Sequence, residues 1–554
     1  MHIAQAASRP STRALDLRVV GHAAFFVLCA GTFLALGAHQ LGLPGLQYDE
    51  VKEAGLNAMQ LLLHQPVTAF RDATVQIGPW RLPLMVQDYI GSLNVLLAVP
   101  FLAIGGINPS ALRWLPLLTG AATLALAWRL AWRLGGPVAA SATALLLAVN
   151  PSFIFWSRQG IFVTNLTALF FLASLLTGLR WWEERRPRDL WLTALAWGLG
   201  LYAKLLFGWA IGAMLIVAAG ATLLDRSRPR PAYSWRTWLI AAACFLLPLL
   251  PLIAFNLTTG GTLASILGNL GQSYYGVNNL AYWPNLLVRL GELWTLLRGD
   301  HLWYLGESYA NSYAPWLAIG LVGLAVLAGT SRPHKMPAVL LPLLLLALIT
   351  LQSAFTVSDL FITHFALALP LVALGGGLAA GALWLARPFR STAPNVALAL
   401  LGLLSILTWA GVDARNTFLY HQILTRSGGY SSHSDGIYRL AAYLAAQPSG
   451  ALLVLDWGMD AQLQFLSDGR LNPIEVFGYA SINQPDPGFA ARVAPFLAEP
   501  HSLFVAHVPN ETVFKGRVAA LAALARAQGE NLREQGRFGL RSGQPLFIVY
   551  TLSK

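Results

Sequence analysis

Leu190–Leu224 reads LWLTALAWGLGLYAKLLFGWAIGAMLIVAAGATLL, and its only charged residue is Lys204. A hydrocarbon layer about 30 Å thick is crossed by about 20 helical residues, so the stretch is long enough to cross twice. Lys204 then falls at the turn between the crossings. The flanks, RWWEERRPR (Arg180–Arg188) and DRSRPRPAYSWR (Asp225–Arg236), are both arginine-rich and share the opposite, cytoplasmic side. An ionisable group at membrane depth faces a cavity or a partner, or else its ammonium snorkels to the interface.

The rest of the chain reads the same way. Of 554 residues, 56% are hydrophobic and 11% charged, and the mean hydropathy is +0.56. A soluble domain carries about 25% charged residues, which excludes a soluble globular chain. Cys29 and Cys244 both sit inside apolar blocks, as small core residues do. The basic N-terminal stretch precedes a long apolar run without an evident cleavage site, and so reads as a retained first helix. The net charge of +12 does not point to nucleic acid. Its clusters (Arg9, Arg13 and Arg18; Arg129 and Arg133; Arg180–Arg188; Asp225–Arg236; Ser331–Lys335; Arg387–Arg390) fall in alternate connections instead of gathering on one domain.

That sorting decides a doubtful segment. GSLNVLLAVPFLAIGG (Gly91–Gly106) is apolar but short and contains Pro100. Were it a crossing, most later arginine clusters would change sides. It is therefore expected to lie at the outer surface, within a first outer loop over 42–110. The expectation is a polytopic α-helical membrane protein of about eleven spans, near 19–41, 111–133, 138–156, 161–181, 189–204, 205–224, 237–257, 314–330, 337–354, 362–386 and 395–412. The N-terminus is then cytoplasmic. A second outer loop covers 258–313, and residues 413–554 form an extracytoplasmic α/β domain after a membrane domain over 1–412. In that tail, Ala451–Trp457, His501–Val508 and Pro545–Leu552 read as strands, while Ser434–Gln447 and Glu511–Gln535 read as amphipathic helices.

Ionisable residues recur at the outer level. LQYDEVKEAG (Leu46–Gly55) places Asp49 and Glu50 at the exit of the first span. Lys204, Arg158 and His364 occupy similar outward ends, and Arg81 lies in the first outer loop. A carboxylate facing cations at the edge of a membrane suits a lipid-linked phosphate, whose head group sits at that level. The cations are candidates to hold the phosphate, and Asp49 or Glu50 to take a proton from an attacking hydroxyl. Phosphate leaves as a stable anion, so one base suffices, as in the transferase counterpart of inverting glycoside hydrolysis. Asp88, Tyr274 and Tyr275 are candidates to line an acceptor path, although aromatic residues also populate membrane interfaces.

Taken together, these segments resemble the GT-C glycosyltransferases of the protein O-mannosyltransferase type, which include bacterial lipid A aminoarabinose transferases. The resemblance covers roughly Val19 to Gly377. YDE after the first span is similar to the family's acidic motif, which implies that Asp49 is the catalytic carboxylate. Gly78–Gly120 resembles the run of juxtamembrane helices followed by an Arg-initiated second span, with Arg113 in the arginine's place. NPSFIFWSRQGIFVTN (Asn150–Asn165) and GLGLYAKLLFG (Gly198–Gly208) are similar to the Pro-then-Ser-Arg segment and the Lys-containing turn where the family handles donor phosphate. THFALALPLVAL (Thr363–Leu374) departs from the pattern, with His364 where Arg is expected, and YAKLLFG lacks the common Lys-Gly pair.

The resemblance implies a polyprenyl-phosphate sugar donor, a hydroxyl-bearing acceptor (lipid, glycan or protein), membrane lipid as partner and a bacterial inner-membrane location. It includes metal-independent members, so no obligatory metal or other cofactor is expected; a divalent cation is left open. The competing class is a polytopic transporter or flippase, which would bring internal repeats and polar residues at the midplane. No repeat is read here, and the charges gather at the outer edge. A membrane scaffold displaying the tail is a third reading, and it leaves Lys204 without a purpose.

Overall fold

The computed structural model describes residues 17–224, 233–329, 336–386, 389, 391–448 and 450–554. Arg9, Arg13, Asp225–Arg230, Ser331–Lys335, Arg387 and Arg390, which carry much of the charge-sorting argument, lie outside the described residues.

The chain is an integral membrane helical bundle. Among the described residues, five helical stretches are long and apolar enough to cross a bilayer: Val19–Ala38, Pro109–Val149, Leu205–Leu224, Trp235–Thr259 and Thr392–Ser427. The expected spans 314–330, 337–354 and 362–386 appear as shorter apolar helices: Ala314–Gly329, Met336–Ser353 and Leu369–Leu385. Leu93–Gly105 is a helix of 13 residues, about 20 Å long and too short to cross upright.

Breaks in the helices have local causes. Pro109–Val149 contains two expected spans, 111–133 and 138–156, because the path turns at Gly136, whose φ of 81° suits glycine alone. The second of these arms is completed by Pro151–Arg158, which Asn150 caps by accepting from the Phe153 N–H at 2.9 Å. Helix Pro187–Ala203 stops at Lys204, whose backbone is extended (φ −161°, ψ 132°), and Gly208–Leu224 follows after one short turn. Glycines let Leu369–Leu385 press against Pro109–Val149: a Cβ on Gly377 would collide with Thr143 and the Ala139 carbonyl, and one on Gly381 with Ala139.

Thr392–Ser427 is one unbroken helix of 36 residues, about 54 Å long. The domain boundary expected at 412/413 therefore falls inside a helix, and is corrected to Gly428, where φ turns positive. Beyond it lies a five-stranded mixed sheet in the order Pro473–Glu475, Leu452–Val454, Leu503–His507, Pro545–Ser553, Asn531–Gly539. The helix expected over Glu511–Gln535 is Arg517–Ala527 only. Gly529 (φ 78°) turns the chain, and the rest becomes a strand paired antiparallel with Pro545–Ser553.

Candidate active site

The residues after the first helix do not form a loose loop. Gln47 opens a short helix: its side-chain oxygen accepts from the Asp49 N–H at 2.6 Å and the Glu50 N–H at 3.3 Å. Glu50 reciprocates on the Gln47 N–H at 3.2 Å, a capping box. One wide π-helical turn follows over Val51–Gly55, closed by the Leu56 N–H on the Val51 carbonyl; such turns recur at functional sites. This helix presents Asp49 partly exposed, and Glu53 only 3% exposed with its Oε2 unpartnered.

Lys204 reaches the same place because the first connection clamps its turn. The Leu205 N–H donates to the Tyr89 carbonyl at 3.0 Å. The Tyr202 hydroxyl donates to the Leu84 carbonyl at 2.9 Å and lies 2.7 Å from Ser92 Oγ. Gly91 packs directly on Tyr202, where a Cβ would meet its carbonyl oxygen and ring. Lys204 is 7% exposed, and among the described residues its Nζ makes no hydrogen bond or ion pair.

Burial pushes the Asp49 carboxyl above the usual range; the Gln47 hydrogen bond and the Lys204 charge pull it back, while Glu50 adds to the rise. Burial lifts Glu53 well above its usual range, against Lys204 and with the help of Asp49. Two carboxyls and one lysine thus lie within electrostatic reach of one another. Glu53 has an oxygen without a donor, whereas Asp49 has Gln47 beside it.

Other expected site residues are engaged elsewhere. Glu50, expected as a catalytic candidate, is engaged by Arg113, whose Nε and Nη2 hold its two oxygens at 2.8 Å each. Gln159 adds a further bond at 2.7 Å, the fourth to this carboxylate, and both charged groups are fully buried. Arg113 also donates to the carbonyls of Leu41, Pro44 and Gly45. Arg158 is fully buried and donates to the carbonyls of Gln40 and Leu43 at 2.6 and 2.8 Å, fixing the same bend from its other side. Arg81 is exposed on a hairpin, bonded to Thr74 Oγ1 at 2.7 Å, and forms no ion pair with the pocket. Asp88 is held by Arg71 through two bonds of 2.9 Å, with Tyr274 at 3.4 Å, so it clasps the two long connections together and is not a free acceptor ligand. Tyr274 is further tied to Ser265. Tyr275 is 66% exposed and lies within electrostatic reach of Asp49. Among the described residues no group of three or more His, Cys, Asp or Glu gathers as a metal site.

Residues 95–255 match the family described as dolichyl-phosphate-mannose-protein mannosyltransferase. The fold is similar over nearly its whole length to ArnT from Cupriavidus metallidurans. With the form bound to undecaprenyl phosphate the identity is 14% and the TM-score 0.55, covering 97% of this chain and 98% of that one. With the apo form the identity is 14% and the TM-score 0.56, covering 96% and 98%. The Archaeoglobus fulgidus oligosaccharyltransferase in complex with zinc and sulfate is 14% identical with a TM-score of 0.51, covering 91% of this chain and 70% of that one. No curated protein sequence matches the chain. Over residues 95–255 the chain is thus similar to that mannosyltransferase family, on a fold shared with ArnT.

The matched segment contains Arg113, Arg158 and Lys204 but neither Asp49 nor His364. His364 is buried in the turn Ile362–Leu367, close enough to Lys204 for their charges to interact, and its Nδ1 lies 3.2 Å from Arg289 Nη2. Glu53 and Arg289 were not among the residues expected at the site. Glu53 stands four residues after Asp49, the spacing that puts two side chains on one helical face. Arg289 has Glu292 at i+3, a pattern that normally marks a solvated surface pair.

Proposed function

We propose that this protein is a GT-C glycosyltransferase that transfers a sugar, with inversion, from a polyprenyl-phosphate donor to a hydroxyl acceptor at the outer face of the membrane. The observation that carries the reading is the Asp49 carboxylate lying within electrostatic reach of the buried Lys204 ammonium. Lys204 meets the donor phosphate and compensates the charge it keeps after the bond to the anomeric carbon breaks. Asp49 takes the acceptor proton as oxygen attacks from the opposite face. The polyprenyl tail lies along the apolar helices, and the ArnT structure with undecaprenyl phosphate makes such a donor the natural class. Tyr275, exposed beside Asp49, is the candidate acceptor contact. In this reading the N-terminus is cytoplasmic, the domain after Gly428 is extracytoplasmic, and the location is a bacterial inner membrane.

The test is transfer by the purified protein in lipid, offered a panel of polyprenyl-phosphate sugars. Release of polyprenyl phosphate should fall by about 10²–10⁴ in Asp49→Asn, and the product anomer should be opposite to the donor's. Undiminished release from Asp49→Asn, or a retained anomer, would overturn the mechanism.

A further inference from the structure

The contact between Arg289 and His364 has a chemical consequence. Arg289 is fully buried in helix Tyr282–Arg298, and four of its five N–H donors are committed: Nε to the Ser353 carbonyl at 2.9 Å, Nη1 to Glu292 at 3.0 Å and the Phe361 carbonyl at 3.1 Å, Nη2 to His364 Nδ1 at 3.2 Å. Trp209 and Phe365 pack close to the guanidinium. A guanidinium has no acceptor, so Nδ1 must present its lone pair, and the ring proton must sit on Nε2. An imidazolium would place N–H against N–H. The charged groups facing the ring or its partner are Lys204 from the neighbouring turn, Arg289 with Glu292, and Asp359.

We infer that Arg289 is a positioning residue that locks His364 as the neutral Nε2–H tautomer, so that His364 offers the donor phosphate one hydrogen bond and no charge beside Lys204. The inference rests on the donor reading above. It also accounts for a histidine where the family pattern has arginine: the cation is present, but it stands one step behind and acts through the ring.

Two measurements separate this inference from that reading. The ¹⁵N spectrum of histidine-labelled protein in lipid, assigned by loss of the signal in His364→Gln, should show a neutral Nε2–H ring at and below pH 6. A charged ring or an Nδ1–H tautomer would overturn the lock without touching the transfer reaction. Binding of polyprenyl phosphate itself, with no sugar, then reads the role. Because Gln keeps an N–H near the Nε2 position, His364→Gln should bind much like the native protein, whereas His364→Leu should lose about tenfold or more. In Arg289→Met the ring can take a proton on Nδ1, and binding should tighten as pH falls; Arg289→Lys, still a donor, should restore the flat profile. Glu292 titrates near 7, so this series is run with Glu292→Gln throughout. Native-like binding by His364→Leu would remove the phosphate role. Failure of transfer with this binding pattern intact would count against the reaction alone.

Discussion

Removing the Lys204 charge should move the titration of Asp49. The ammonium is one of two influences holding that carboxyl down against burial. If Asp49 must be ionised to accept a proton, transfer falls as pH drops through its pKa. In Lys204→Met that acid limb should shift to higher pH, measured as kcat at saturating donor; an unmoved limb would assign the base to another group. At this scale Lys204 was legible because a single charge in two spans of apolar sequence has few places to be. Asp49 was legible from its place at a helix exit. Its neighbour Glu50 was not separable from it in sequence, because the choice between them is made by Arg113, 63 residues away. Arg289 was missed for the opposite reason: its local pattern is that of a surface residue, and its burial comes from Ser353 and Phe361.

The elements that bring Asp49 and Lys204 together are the bend after the first helix and the hairpin Met85–Gln87/Ile90–Gly91. Arg113 and Glu50 secure the bend from inside the protein. Either Arg113→Met or Glu50→Gln strands a partner there and should cost about 3–5 kcal/mol, while the double substitution should recover part of the loss. A double-mutant cycle on thermal unfolding in lipid checks this, and additive losses would refute coupling. The hairpin acts on the site through Gly91. Gly91→Ala has to push Tyr202 away, at about 1–3 kcal/mol for an overpacked contact, and should weaken transfer although every site residue is intact. Transfer equal to the native enzyme's would show that the clamp on the Lys204 turn is dispensable. The helices were readable from their apolar blocks, and the break near Gly136 from the gap between the spans expected at 111–133 and 138–156. The hairpins were not, because their strands are two to four residues long and gain their order from Tyr202 and Phe255.

At the scale of the molecule, the domain after Gly428 is seated on both outer connections, chiefly the first. The Tyr438 hydroxyl donates to the Gly42 carbonyl at 2.8 Å, Trp457 lies 4.7 Å from the Tyr48 ring, and His433 stacks on Tyr304 at 4.2 Å. Lys52 meets Asp460 at 3.7 Å, with Glu475 alongside. Burial and the Asp460 charge push Glu475 up to about 7, against Lys52. Between its unfolded value near 4.5 and that figure, the folded protein holds a proton that the unfolded chain has released, so stability should fall as pH rises through this window. Thermal midpoints measured across it should flatten in Glu475→Gln; an unchanged slope would remove Glu475 as the cause.

The strands of this domain were partly legible from their apolar runs. Asn531–Gly539 was not, because a helix-like run precedes it and Gly529 alone marks the change. Nor did the hydropathy break near residue 412 show that Thr392–Ser427 continues as one rod. That continuity makes the outer part of the helix a phase-setting element. One residue added between 413 and 427 would rotate everything beyond it by about 100° and advance it by about 1.5 Å, turning Tyr438, Trp457 and Glu475 away from their seats. Drift in chain length among related sequences should therefore spare this stretch and collect in the connections, where a change of one residue alters no angle.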